Sequence, residues 1–498
     1  GFSIKTIFMS NVSPGDIKLE GKPYSEIAGE RLRAAGLMLI KEWKERGAIS
    51  LPVFETELSY FSRNAFPDEI WLFASDHPET ASEKIRQSDT ITLAVAIKRL
   101  IIEKYGLGEM RVKIIGHDSC PESYDEMLDF FDRFFRKMKG AEDYADSLYF
   151  VSMTTGSVAA NLGMIISAAS YFGNNCEAIY LSGGAPRRTE MVGKLMDKRY
   201  FQVAQTLLLH YDYSGLHDLV KDWNAAAGHI LLIISACQKL YDFNFGQAAE
   251  TLDEVIEKKS VNASSNLVLR QLAAEIKKLE AAQKAMIRHQ SLPSADKKAP
   301  LADDDKKELF ESYRILMSLW YHKIRISWCK ENYFEFYNLL FGLVENMSKF
   351  VIMQFIGIPV LKAYFTDVKH ALRSFEGFGE YAEAKGVNFN YEVNNLMFDM
   401  FLKYLLEKGY LKERGRVISG FLNPVSELKT HRNQAVHVFG GASEDLLENE
   451  KLSKKFGGKS VVEAAAQALE LLEISTSDVT IFEELNCQIT GELEKSLR

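Results

Sequence analysis

The stretch DSLYFVSMTTGSVAANLGMIISAA (residues 146–169) decides the fold class. Its run LYFV is short and continuously apolar, as a strand buried on both faces requires. A polar elbow follows, Thr154-Thr155-Gly156-Ser157, and then a run of small and apolar residues that reads as a helix. Strand, elbow and helix form the repeating unit of a parallel α/β sheet.

Four more runs have the same character: SIKTIFMSN (3–11), DEIWLFASD (68–76), RVKIIGHDS (111–119) and EAIYLSGG (177–184). The segments YSEIAGERLRAAGLMLIKEWKERG (24–47) and SDTITLAVAIKRLIIEKYG (88–106) separate some of them, with apolar residues every three to four positions. A doubly wound, Rossmann-like α/β domain is expected. After SGGAPRR (182–188) the strand signal almost stops. Helices are expected over 191–223, 267–289, 309–328, 340–357 and 391–409. The segment 290–307 is polar, carries two prolines and reads as a linker. The expected division is an α/β domain over 1–189, an all-α linker domain over 190–300 and an all-α domain over 301–498.

A chain of 498 residues is too long for one ordinary core. Hydrophobic content of 47% and charged content of 26% are those of a globular protein. The net charge of -8 argues against a generally basic nucleic-acid coat, yet leaves room for a local basic site. The five cysteines include no CxxC spacing, so a disulfide framework or zinc site is not expected, and a reducing, cytoplasmic setting is. The N-terminal GFSIKTIFMSN lacks the pattern of a signal peptide. AAAGHILLIISAC (225–237) falls short of the roughly 20 residues a membrane span needs, and a buried helix is expected there.

Ligands of open parallel sheets bind beyond the carboxyl ends of the strands. Those ends here offer Ser10, Asn11, Ser13, Gly15 and Asp16; then Thr154, Thr155, Gly156 and Ser157; then Ser182, Gly183 and Gly184. Gly156 permits close backbone approach, and the helix after it presents free N–H groups and a positive dipole end. This suits a phosphate or a ribose. Capping of that helix by Ser157 or a threonine is the plainer reading of any one residue. Three polar strand ends together favour a crevice. Neither a GxGxxG nor a GxxxxGK[ST] motif is present, so a dinucleotide or P-loop enzyme is poorly supported. Asp76-His77-Pro78 and His117-Asp118 also end strands, without a partner serine or metal ligand to make them catalytic.

Two arginine–histidine pairs remain. Arg111 and His117 stand at opposite ends of one expected strand, about 20 Å apart, and cannot act on one phosphate. Arg432 and His437, in THRNQAVHVFG (430–440), follow a turn expected at Pro424 and lie in a helical region. Five helical residues advance only about 7.5 Å. Lys412, Arg414, Arg416 and Lys429 make the neighbourhood basic. Two roles fit the pair: a phosphate clamp with a proton-transfer group, or a surface ion-pair residue beside a packed histidine.

With RNQAVH (432–437) in a helical C-terminal region, SNVSPGD and MTTGS at two strand ends, and the segments 207–220 and 328–350, the chain resembles the CARF–HEPN ribonucleases of type III CRISPR systems, especially the Csm-type (subtype III-A) enzymes. The resemblance extends over essentially the whole chain. It departs after the fourth strand, where TTGSVAAN stands and some relatives carry a glycine pair and a proline.

The resemblance implies a CARF sensor, a helical linker domain and a HEPN ribonuclease domain. It implies a homodimer whose paired sensors bind cyclic oligoadenylate, tetra- or hexa-adenylate, as an allosteric activator. The paired HEPN domains would then cut single-stranded RNA without a metal, by 2′-hydroxyl attack that leaves a 2′,3′-cyclic phosphate and a 5′-hydroxyl. The implied catalytic residues are Arg432, Asn433 and His437. The implied activator-binding residues are Ser10, Asn11, Ser13, Thr154, Thr155, Gly156, Ser157, Ser182 and Gly183; some related proteins slowly cleave the activator at these loops, and the sequence leaves open whether this one does. No membrane contact and no stable association with the CRISPR effector complex are expected. The competing readings are a CARF-like binding regulator without nuclease activity and an ungated HEPN toxin.

Overall fold

Ile7 and Met9 point to one side of the first strand and Phe8 to the other, and all three are fully buried. That alternation fixes a sheet covered on both faces. The structure is a computed structural model. It describes residues 4–44, 48–62, 65–141, 144, 147–223, 225–291, 301–389, 395–428, 450–477 and 480–497. It divides into two compact units, one of Gly1–Phe201 with Trp223–Ala225, the other of nearly all the remainder.

The first unit is built on β1 (Thr6–Asn11), β5 (Glu69–Ser75), β6 (Val112–His117), β7 (Leu148–Ser152), β8 (Cys176–Ser182) and β9 (Ala185–Thr189), in spatial order β6-β5-β1-β7-β8-β9. The first five are parallel neighbours, as the apolar runs predict; β9 is antiparallel to β8. On one face Phe8, Ile70 and Leu72 pack against α2 (Leu32–Lys41), α3 (Pro52–Leu58) and α5 (Ile91–Tyr105). On the other, Ile7, Met9, Trp71 and Phe73 pack against α6 (Tyr124–Lys139) and α7 (Val158–Phe172). A small sheet of β2 (Lys18–Leu19), β3 (Lys22–Pro23) and β4 (Ile49–Ser50) follows the β1 end. The short helix α4 (Glu83–Arg86) precedes α5.

One expectation is corrected here. The single helix expected over 24–47 is two, α1 (Tyr24–Ala28) and α2, because Gly29 takes φ 65 and ends α1 in the left-handed conformation. The last strand, β9, begins within SGGAPRR (182–188), and no strand follows it among the described residues. Gly183 and Gly184, at φ 62 and 77, form a two-residue hairpin turn between the paired Ser182 and Ala185. Both glycines supply the positive φ that a type I′ hairpin demands.

The second unit is helical throughout its described residues. The boundary falls within α8 (Met191–Leu209), and α9 (Tyr213–Asp222) through α12 follow: α10 Gly228–Tyr241, α11 Phe245–Glu257 and α12 Ala263–Gln290. Then come α13 (Asp303–Cys329), α14 (Tyr333–Ile356), α15 (Phe365–Ser374), α16 (Phe378–Ala384), α17 (Asn395–Glu407) and α18 (Lys412–Glu427). Three further helices cover Glu450–Lys455, Val461–Glu470 and Ile481–Lys495. The linker expected over 290–307 is shorter, since Asp303, Asp304 and Asp305 open α13, where acids favour a helix N-terminus. Pro424 is also corrected: it lies inside α18, not in a turn. It stands three residues before the last residue of α18, so only the final turn forgoes the amide. One described helix, α14, is long and apolar enough to cross a membrane. Its Phe336, Leu340, Leu343, Met347, Phe350 and Val351 are fully buried in the helical core.

Candidate functional site

β1 and β7 are adjacent, and the chain winds away from them in opposite directions, through β5 and β6 on one side and β8 on the other. An open α/β sheet forms its ligand crevice at such a switch point. The residues at these two strand ends bind one another. The Thr155 hydroxyl donates to the Asn11 carbonyl, and its oxygen stands 2.7 Å from Ser10 Oγ. Asn11 Nδ2 donates to Asn161 Oδ1 at 2.9 Å. Ser10, Asn11, Thr155 and Asn161 are all buried, so they form the floor of the crevice. Within that floor Asn11 Oδ1 has no protein donor.

Gly156 permits this closeness. It has φ +91, and a Cβ there would stand 2.5 Å from Asn11 Cβ and 3.2 Å from Asn161 Oδ1. The next residue, Ser157, caps α7 by accepting from Ala160 N at 3.1 Å, and its own hydroxyl donates to the Pro121 carbonyl. The capping reading of Ser157 therefore holds. Thr154 is exposed, and its oxygen accepts from Leu181 N at 3.2 Å, which ties the β8 end to the elbow. Ser182 is half-buried and Gly183 exposed, both at the hairpin turn. Ser13 is half-buried and donates through its amide and hydroxyl to Asp16, at 2.6 and 3.0 Å.

Two carboxyls lie behind the crevice. Glu57, from α3, is fully buried and accepts from Ser152 Oγ at 2.9 Å. Burial pushes its pKa up to about 7, against the opposing pull of the Thr154 and Ser152 hydroxyls. Asp16 is raised to about 7 as well, by burial first, with Ser13 opposing and Glu57 adding to the rise. Near neutrality each carboxyl is only partly ionised, and each holds one of the two loops.

No protein-family model matches the chain, and no curated protein matches its sequence. A solved structure does: Csm6 of Enterococcus italicus, bound to cyclic hexa-2′-fluoro-hexa-dAMP. The TM-score is 0.55 at 12% identity, over 98% of this chain and 100% of that one. The chain has the Csm6 fold.

In this Csm6-like fold, the two histidines at the β5 and β6 ends are held by hydrogen bonding and ring packing. His77 Nδ1 lies 2.6 Å from Asp89 Oδ1, its backbone N–H donates to Asp89 Oδ2 at 3.0 Å, and Arg33 reaches the same carboxylate at 3.1 Å and also pairs with Asp76. The network fastens the β5 end to the residue just before the N-cap of α5. His117 is buried against the Phe130 ring, with centroids 4.8 Å apart, and burial lowers its pKa, which keeps it neutral. Arg111, at the far end of β6, donates to the Asp68 carbonyl at 3.0 Å, so the Arg111–His117 pair is a coincidence of spacing.

In the second unit, Arg432, Asn433 and His437 lie outside the described residues, as does Lys429. Lys412, Arg414 and Arg416 are exposed on α18. A cavity of about 430 Å³ beside α18 is lined by polar groups from α14, α17 and α18, among them Ser348, Lys403, Ser419, Asn423 and Ser426.

Glu57 and Asn161 were not singled out from sequence. A signal for Glu57 exists: it follows Phe54 by three positions and precedes Leu58, so it falls on the apolar face of α3. A carboxyl there must be bonded or neutral. Asn161 stands in a similar position, among the buried Ala160, Met164 and Ile165 of α7.

Proposed function

We propose that the chain is a cyclic-oligoadenylate-activated endoribonuclease of type III CRISPR defence, acting on single-stranded RNA without a metal cofactor. The observation that carries this reading is the Csm6 fold over 98% of the chain, in a neighbour that holds a cyclic hexanucleotide. The local chemistry agrees. A crevice at the β1–β7 switch, a helix N-terminus beside Gly156 and an unsatisfied Asn11 Oδ1 fit a ring of nucleotides with phosphates and donors. The sensor would be residues 1–189, the linker domain 190–300 and the HEPN domain 301–498, working as a cytoplasmic homodimer free of the effector complex.

In the proposed reaction, Arg432 holds the scissile phosphate and offsets the charge that develops on it. His437 transfers a proton near neutral pH, and Asn433 orients the pair or contacts RNA. The RNA 2′-hydroxyl forms a bond to phosphorus as the P–O5′ bond breaks. In the sensor, Asn11 and Thr155 would position the ring, and slow ring cleavage would depend on alignment of its own 2′-hydroxyl.

The test is cleavage of a fluorogenic single-stranded RNA in EDTA, with and without cyclic tetra- or hexa-adenylate. Ring-dependent cleavage that His437→Ala abolishes is the expected result. Cleavage without any ring would indicate an ungated toxin. Ring binding without cleavage would indicate a regulator.

A further inference from the structure

His289 stands in the last turn of α12 and is 3% exposed. Its Nδ1 meets the Tyr364 hydroxyl at 3.4 Å, and its Nε2 is buried with no partner. A buried nitrogen left in that state costs free energy that a ligand would recover. Asp305 and Glu308 lie in the first two turns of α13, three residues apart, and so share a helix face. One ring nitrogen of His289 and one oxygen from each carboxylate lie within 4.8 Å of one another.

We propose that His289, Asp305 and Glu308 form a divalent-cation site that clips the end of α12 to the start of α13. An imidazole with two carboxylates suits zinc, with water completing a tetrahedron, better than it suits magnesium. Zinc bonds of about 2.0–2.2 Å place tetrahedral ligand atoms about 3.4 Å apart, so the groups need close by no more than roughly 1.4 Å. Glu308 is exposed and can supply that movement. It now pairs with Arg288, whose side chain is 56% exposed and free to turn to solvent. An ion pair at the surface is worth about 0–1 kcal/mol, a weak competitor for a chelated cation. The carboxyl end of the α12 dipole also favours positive charge beside His289.

The test uses the full-length protein, stripped with EDTA, desalted and titrated with Zn²⁺ against a chromophoric chelator at pH 7.5. Wild type should bind one more Zn²⁺ than His289→Gln and Glu308→Gln, or bind it about tenfold or more tightly. Zn²⁺ should raise the melting temperature of wild type and not of the variants. Absence of zinc binding, or equal stoichiometry and affinity in Glu308→Gln, would overturn the site. Glu308 is exposed, so its variant decides even where the buried His289→Gln fails to fold. Both readouts are independent of RNA cleavage.

Discussion

The hydroxyl oxygens of Ser10 and Thr155, 145 residues apart in the chain, stand 2.7 Å apart beneath the crevice. This contact joins the strands on the two sides of the switch point, and Thr155 also holds the Asn11 carbonyl. Thr155→Ala removes two hydrogen bonds and leaves Ser10 Oγ and the Asn11 carbonyl only their mutual one, at 3.1 Å. A buried hydrogen bond lost while its partners stay bonded costs about 0.5–1.5 kcal/mol. If the cost falls on the ring-bound state, binding weakens by roughly 2- to 13-fold. Fluorescence titration with labelled cyclic oligoadenylate checks this, and an unchanged titration would remove Thr155 from the site.

Gly156 leaves less room still. Alanine there meets a positive φ and a 2.5 Å approach to Asn11 Cβ. Strain of this kind costs on the order of 1–3 kcal/mol or more. Gly156→Ala should lower the melting temperature and abolish ring binding, whereas Gly193→Ala, in α8 with no positive φ and open space around its Cβ, should leave both nearly intact. Differential scanning fluorimetry and the same titration separate the two.

Glu57 gives a pH dependence with a definite sign. Its pKa rises from 4.5 to about 7 on folding. Between these values the unfolded chain has released the proton and the folded chain keeps it. The stability it contributes is full below pH 4.5 and is lost as pH rises through about 7. The amount is on the order of 3 kcal/mol. Glu57→Gln should therefore melt near wild type at pH 4 and roughly 5–10 °C above it at pH 8. Melting curves across that range test it; parallel curves would mean that Glu57 ionises freely.

For the proposed nuclease, His437→Ala should lower RNA cleavage by roughly 10²–10⁴ with ring binding unchanged. Single-turnover cleavage beside the ring titration separates chemistry from activation.

The five parallel strands were legible because Ile7, Phe8, Met9, Trp71 and Tyr149 fill both faces of the sheet and leave unbroken apolar runs. The strand ends were legible too, since polar residues gather where the sheet stops. The break at Gly29 and the hairpin at Gly183-Gly184 were hidden by a different cause. Each depends on a local φ that the surrounding apolar period masks or that follows a strand already counted. Glu57 was hidden because its meaning comes from Ser152, 95 residues away. Asp89 shows the same limit: only the fold brings its carboxylate to His77.

The edge strand β9 has a consequence for assembly. It is five residues long and carries Pro186, Arg187 and Arg188. Proline offers no amide to an incoming strand, and the exposed Arg187 repels a second copy of itself, while Arg188 pairs with Glu177 at 3.1 Å. The β9 side of the sheet is thus guarded against growing into a continuous ribbon. Strand exchange along β9 is thereby disfavoured, and the hairpin tip beside the crevice stays clear of it.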